Sequence, residues 1–239
     1  MSSPLTRLIA AALVGGGLAV AGLAVGHGLE RFRLADRSVV VKGLAEKSVE
    51  SDYAVWTLPF RRGGNAFGEV QKSLAQDRDA VVAFLKSRGF KDEEIEVRPL
   101  AVQDLFARDY GSGNQPLRFN GSGQVIVKSP RVAEVEAATL AVDPLIQAGV
   151  QLSSDGDGGV QYQLRGFNDA KAELLSAATG NARQQGEKFA SEAGARLGPL
   201  KSANQGVISI SGDDGGEHDS GSARMKRLRV VSTFVYELR

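Results

Sequence analysis

Apolar and polar residues alternate along two neighbouring stretches of the chain, Ser38–Glu50 and Tyr53–Arg61. A period of two places successive side chains on opposite faces of a strand, so both stretches are predicted to be β-strands. The two faces of the second strand consist of Ala54, Trp56, Leu58 and Phe60, and of Tyr53, Val55 and Thr57. Ser51 and Asp52 are turn-forming residues, and we expect them to join the strands in a hairpin.

Two further segments have apolar residues at helical spacing. The first runs from Phe67 to Arg88, and Gly89 is predicted to end it, because glycine readily adopts the left-handed conformation that closes a helix. The second begins with Asn168 as its predicted N-cap and is the longest helix expected. Its apolar stripe is predicted to consist of Leu174, Ala178, Ala182, Gln185, Phe189 and Ala193.

A third helix is predicted between these two. Ser129 as N-cap and Pro130 at the first helical position favour its start, Pro144 favours a kink, and Gly149 favours its end. The remaining strands are expected at Ile95–Phe106, Leu117–Lys128, Val160–Leu164, Val207–Ile210 and Leu228–Leu238.

The element order ββα-ββα-βα-ββ indicates an α+β fold, with a mainly antiparallel sheet and helices packed on one face. The last strand is apolar on both faces, so we expect it to be central in the sheet or paired at an interface. Short connections favour one folded unit over residues 37–239.

The amino-terminal residues 1–30 are predicted to be a membrane anchor or a signal segment. Arg7 precedes an uncharged apolar run at residues 8–25, and a helix of roughly 18 residues just spans a hydrocarbon core. The run predicts a transmembrane helix in a bacterial inner membrane, with the folded domain in the periplasm. The small residues Ala19–Ala21 leave a cleaved signal and a soluble periplasmic protein as the alternative. Gly22 and Gly26 form a GxxxG pair that would allow two anchors to pack together.

Composition narrows the classes of partner. The chain has 29 basic and 28 acidic residues and a net charge of +1, which argues against a nucleic-acid partner. It contains no cysteine, so disulfides, thiolate metal ligands and a cysteine nucleophile are excluded.

Two groups of charged residues contain side chains that could take part in chemistry. The first strand and its turn carry Lys42, Glu46, Lys47, Glu50 and Asp52, which we interpret as the solvated face of a sheet, with Gly43 as a candidate bulge. The other group lies in the loop SGDDGGEHDSGSARM and comprises Asp213, Asp214, Glu217, His218 and Asp219. Glycine and serine surround these ligand types, so a solvated loop is favoured over a bound cation.

No other motif predicts a catalytic residue, a metal ligand or a cofactor site. Asp155 and Asp157 resemble the start of a calcium loop, but Val160 stands where glycine is required and Gly166 where glutamate is required. The second histidine, His27, follows the apolar run and needs no catalytic explanation. Catalytic, metal and cofactor residues are therefore predicted to be absent.

Three segments resemble one family. Residues 39–58, VVVKGLAEKSVESDYAVWTL, are similar to the first hairpin of SIMPL-domain proteins, whose pattern positions are occupied by Val41, Gly43, Ala45, Glu46, Asp52 and Ala54. Residues 181–200 resemble the family's long helix and its exit, and residues 227–238 resemble its closing strand. Many members have aspartate and alanine in the long helix, where this chain has Asn181 and Ala182.

The resemblance covers Ser38 to Leu238 and implies an α+β domain in the bacterial periplasm or envelope, without an assigned catalytic residue. It also implies stress-related roles and large oligomers, which occur in some members. We therefore expect a non-enzymatic, membrane-anchored protein that forms a homo-oligomer or binds an unidentified protein partner. Two alternatives stay open: a metal-assisted hydrolase that uses the His218 loop, and a module that binds a small molecule or peptide near Trp56 or Tyr162.

Overall fold

The computed structural model describes residue 13 and residues 15–27, 37–107, 116–153, 158–216 and 218–239. An amino-terminal helix, α1, covers residues 15–27. The other helices are α2 (Phe67–Ser87), α3 (Val132–Thr139), α4 (Asp143–Gln147) and α5 (Phe167–Glu192). The strands are β1 (Ser38–Glu50), β2 (Tyr53–Gly64), β3 (Ile95–Val97), β4 (Ala101–Asp104), β5 (Phe119–Ser129), β6 (Gly159–Gln163), β7 (Leu197–Asn204), β8 (Ile208–Gly212) and β9 (Met225–Leu238).

The chain sorts into two compact units, each built from separate stretches of sequence. Unit 1 comprises Met1–Glu46, Ala172–Ile208 and Arg229–Arg239, and unit 2 comprises Lys47–Lys171 and Ser209–Leu228. The first β-hairpin and the last strand therefore contribute residues to both units.

The α+β class is confirmed, but the strands form two sheets. One sheet has the order β1-β9-β7, with β8 also pairing with β9, and the other has the order β3-β5-β2-β6, with β4 also pairing with β5. All described pairings in the second sheet are antiparallel, and so is the pairing of β7 with β9. The expectation that the last strand is central is confirmed, because β9 has β1 on one side and β7 on the other.

The order ββα-ββα-βα-ββ is wrong in three places. The predicted strand Ile95–Phe106 is two short strands that are separated at Pro99, since proline cannot donate to a ladder. The helix predicted to kink at Pro144 is two helices, with that proline in the first turn of α4. Strand β7 was not predicted, because Gly198 and Pro199 interrupt its alternation.

Helix boundaries differ most at the predicted caps. Ser129 ends β5 instead of capping a helix, and α3 begins only at Val132. Helix α5 begins at Phe167, so Asn168 is already inside its first turn. The end of α2 is as predicted: Gly89 has φ +86°, its N–H donates to the Lys86 carbonyl, and the Phe90 N–H donates to the Leu85 carbonyl.

Each unit has its own apolar cluster. In unit 2 one of the two predicted faces of β2 is buried against α2, α3 and α4 residues such as Leu74 and Val135; its residues are Ala54, Trp56, Leu58 and Phe60. The cluster in unit 1 is smaller and consists of Val41, Ala182, Phe234 and Tyr236, with Val39 and Leu197 at its margin. The predicted stripe of α5 holds at Leu174, Ala178 and Ala182. It then continues through Gly186 and Ala190 instead of Gln185, Phe189 and Ala193.

The amino-terminal apolar run at residues 8–25 lies partly outside the described residues. Within the described part of the chain, no helix is both long enough and apolar enough to cross a membrane. A Cβ added at Gly22 or at Gly26 of α1 would meet no atom within 4 Å.

Candidate functional site

The charged residues of the first hairpin lie where the alternation predicts. Lys42, Glu46, Glu50 and Asp52 are exposed, and Lys47 is half-buried. Glu46 faces Arg229 across the sheet of unit 1 at 3.5 Å. The interpretation of these charges as a solvated sheet face is confirmed for the four exposed residues.

Gly43 lies directly against helix α5. A Cβ added to Gly43 would be 2.0 Å from the carbonyl oxygen of Ala178 and 2.9 Å from the Cβ of Ala182. Both helix residues are fully buried. Because glycine has no Cβ, the helix backbone approaches β1 more closely than any other residue at position 43 would permit.

Asn181 bonds to the backbone of the same strand. Its Oδ1 accepts a hydrogen bond from the Leu44 N–H at 3.1 Å and another from Gln185 Nε2 at 2.8 Å. An aspartate carboxylate has the same acceptor in the same position. Asparagine, where many family members have aspartate, therefore accepts the hydrogen bond that an aspartate could also accept.

Asp52 bonds to the backbone just before α5. Its carboxylate accepts hydrogen bonds from the Arg165 N–H at 2.7 Å and from the Gly166 N–H at 2.5 Å. The Arg165 guanidinium also lies over the Tyr53 ring, 3.2 Å from its centroid. Asp52 therefore connects the β1–β2 turn to the start of the long helix, where negative charge is favourable.

Arg224 links three segments of unit 2. Its guanidinium donates to the carboxylates of Glu50 and Glu136, and its carbonyl accepts from the Ser51 N–H. The pKa of the neighbouring Tyr162 hydroxyl is raised by burial and, to a smaller extent, by Glu136. All of these charges are paired, so the cluster holds the turn, α3 and the start of β9 together.

The described residues of the acidic loop contact different partners. Asp213 lies 3.5 Å from Arg227, and Asp214 accepts from the Gly216 N–H. Asp219 bonds to Lys226, and Glu217 lies outside the described residues. Among the described residues there is no group of three or more metal-ligand side chains that could hold an ion.

Lys226 was not identified from the sequence. Its side chain is fully buried, and its Nζ lies 2.5 Å from Asp219 Oδ1. The Asp219 carboxylate also accepts from the Gly221 N–H, and the Gly221 carbonyl accepts from the Tyr162 N–H of β6. The buried lysine thus fixes part of the acidic loop next to β6. Its register with the buried residues Leu228 and Val230 of β9 is the signal that could have revealed it.

The other positions named from the sequence either have local contacts of their own or lie outside the described residues. His27 Nδ1 lies 2.9 Å from the Leu23 carbonyl, one turn earlier in α1. Asp155 and Asp157 of the calcium-like segment lie outside the described residues. Val160 pairs with Trp56 in β6, and the Gly166 N–H bonds to Asp52, so both residues have structural roles.

A cleft in unit 1 lies between α5 and β7. Its volume is about 750 Å³. One wall is a single helix stripe at a spacing of four residues, Thr179, Arg183, Glu187 and Ser191. The other wall is formed by residues 195–200 together with Tyr236.

The association cleft, as we name this feature of α5 and β7, combines charged and apolar groups. Arg183 Nε lies 3.0 Å from Glu187 Oε1, and both side chains are mostly exposed. Leu200 in β7 is 49% exposed. Neither wall was identified from the sequence: the predicted stripe of α5 is a different one, and β7 was not predicted because Pro199 interrupts its alternation.

The protein has an α+β fold with two antiparallel sheets, a long helix packed against β1 and a central closing strand. The residues Gly43 and Asp52 of the SIMPL-like pattern stabilise contacts between its backbone segments. The model of the SIMPL family, described as a protein of unknown function (DUF541), matches residues 39–232. The chain belongs to the SIMPL family. The comparison with curated proteins gives no match.

Proposed function

We propose that this chain is a non-enzymatic envelope protein that self-associates through the association cleft. The open cleft beside β7 is the observation that carries this proposal. β7 ends the strand order β1-β9-β7, and residues 199–204 of it are exposed. An exposed edge strand presents backbone groups that can pair with another chain.

The surfaces that the sequence favoured for association are used inside unit 1. β9 is paired on both sides, and the small residues of α5 pack against Gly43 of β1. The middle of β1 is also partly occupied, since the Leu44 N–H is bonded to Asn181. These contacts favour β7 over β1 and β9 as the strand that meets a second copy.

Charge complementarity supports a second copy as the occupant. In a two-fold dimer, residue i contacts residue j of the partner, and j contacts i. Two α5 helices that approach antiparallel along this stripe would place Arg183 of each copy near Glu187 of the other. The same two side chains already form an ion pair within one helix.

Export is part of the proposal. The apolar run at residues 8–25 would anchor the protein in the inner membrane, or direct its secretion before cleavage. No described residue of this chain supports in particular the stress-related role that the family resemblance implies. The hydrolase alternative is not favoured, because Asp213, Asp214 and Asp219 each bond to a different group.

Light scattering coupled to size exclusion, on the full chain in detergent, tests self-association. We expect a dimer or larger assembly for the natural sequence and a shift toward monomer for Leu200→Lys, which places a charge in the cleft. Leu140→Lys is the matched control, because Leu140 is an 83% exposed leucine of unit 2. A natural protein that stays monomeric at high concentration would contradict the proposal.

A further inference from the structure

Unit 2 contains a small, apolar cavity. It has a volume of about 250 Å³ and lies beside β2, next to the end of α3. The residues that define it are Trp56, Leu58, Pro59, Thr139, Val142 and Leu152. We call it the Trp56 pocket, and it is independent of the association cleft, which belongs to unit 1.

A gap in the pairing of β2 creates this pocket. β6 pairs with β2 from Tyr53 only as far as Thr57, and the next bridge on that side joins Phe60 to Leu152. Pro59 lies in the gap, where its carbonyl accepts from the Ser153 N–H. Because proline has no N–H, the interrupted ladder leaves no unpaired donor at this position.

The described walls favour an uncharged occupant. None of the described residues that line the pocket is charged. The Thr139 hydroxyl donates to the Glu136 carbonyl at 2.7 Å, so its hydrogen is already used within α3. Moving an anion or cation out of water without an opposite charge beside it costs several kcal/mol.

The size of the pocket limits the occupant further. An apolar cavity of about 150 Å³ binds benzene, whereas drug-sized ligands occupy roughly 300–1,000 Å³. A volume of about 250 Å³ therefore suits a molecule that is larger than benzene and smaller than most drugs. We propose that the Trp56 pocket binds a small, uncharged, hydrophobic molecule of this size.

The test uses N-phenyl-1-naphthylamine, an uncharged probe of three aromatic rings that absorbs where tryptophan emits. Trp56 is the only tryptophan of the chain, so energy transfer from tryptophan to the probe reports binding near this residue. We expect saturable transfer with the full-length protein. The charged analogue 1-anilinonaphthalene-8-sulfonate should bind at least about tenfold more weakly, because none of the described lining residues offers its sulfonate a positive charge. Absence of saturable transfer, or equal binding of the two probes, would overturn the proposal.

Two variants locate the binding. Val142→Phe places a ring in the pocket and should reduce probe affinity at least about tenfold, with an unfolding midpoint measured to confirm that the variant is folded. Leu152→Phe does the same from the opposite wall and serves if the first variant is unstable. Ile146→Phe is the control, because Ile146 is 59% exposed on α4 and does not line the pocket. Unchanged affinity in a folded pocket variant would also overturn the proposal.

Discussion

At the scale of single residues, the pattern positions of the family stabilise contacts between backbone segments. Gly43 permits close approach of α5, and Asn181 pairs with the Leu44 N–H that this approach would otherwise cover. Asp52 pairs with two N–H groups before α5. Such roles depend on one atom in one place, so they are sensitive to substitution.

Replacement of Gly43 by alanine should destabilise the protein by about 3 kcal/mol or more. The added Cβ would overlap the Ala178 carbonyl oxygen, which cannot move without displacing the helix backbone. Urea unfolding followed by circular dichroism measures the loss. Gly180→Ala in the same helix is the control, since its Cβ meets no atom within 4 Å and should add about 0.5–1 kcal/mol of stability. A neutral Gly43→Ala variant would contradict the close contact.

Asn181→Asp and Asn181→Leu should differ in stability, although each changes one side chain of similar size. Aspartate keeps an acceptor for the Leu44 N–H, so we expect little change. Leucine removes the acceptor of that N–H and should cost about 0.5–1.5 kcal/mol. The same unfolding assay compares the two, and equal losses would mean that the hydrogen bond contributes nothing.

At the scale of elements, the sequence predicts where periodic segments lie but not what they pair with. Alternation located β1 with its observed bounds, and Gly89 located the end of α2. Pairing was not predictable, because a period of two is the same in either sheet. Serine is a common residue at helix N-caps, yet the Ser129 hydroxyl donates to Glu94 at 2.6 Å, a contact between residues 35 positions apart.

Glu94 connects several elements through one carboxylate and should make stability depend on acid. Burial alone would raise its pKa. Hydrogen bonds from Arg131, the Lys91 N–H and the Ser129 hydroxyl outweigh this effect and lower the pKa from 4.5 to about 2. A depressed pKa stabilises the folded state above pH 4.5, and the contribution disappears as pH falls toward 2.

Glu94→Gln should therefore reduce the unfolding free energy near pH 7 by on the order of 1 kcal/mol, after allowance for solvent screening. Near pH 2 the variant and the natural protein should be similar. Unfolding curves across this range measure the difference between them. Glu93→Gln is the control, because the Glu93 side chain is 78% exposed and lies 3.8 Å from Lys91. A difference that is constant with pH would contradict the assigned role.

At the scale of the whole molecule, the candidate sites depend on long-range topology. The association cleft is formed by the exposed face of α5 and by strand β7, and neither was identified from the sequence. The Trp56 pocket depends on a gap in strand pairing, although alternation placed Trp56 on the same face of β2 as Leu58. Neither feature could be predicted, because periodicity does not specify which elements pack together.

Charge reversal distinguishes a two-fold interface at the association cleft from a non-specific one. Arg183→Glu would place two acidic stripes against each other in the dimer, and Glu187→Arg would place two basic ones, so each single variant should dissociate more readily. The double variant Arg183→Glu, Glu187→Arg restores opposite charges across the axis and should recover the assembly. Arg78→Glu controls for the loss of an exposed ion pair, since Arg78 pairs with Asp79 outside the cleft.

Sedimentation velocity over a concentration series would measure the dissociation constants of these four variants. The intrahelical pair contributes only about 0.3–0.5 kcal/mol to helix stability, and the double variant retains it in reversed order. A change in assembly that follows the single variants but not the double variant therefore reports contact between copies. Equal weakening of all three variants, or of none, would contradict charge pairing between copies, and the α5 stripe would not be the site of self-association.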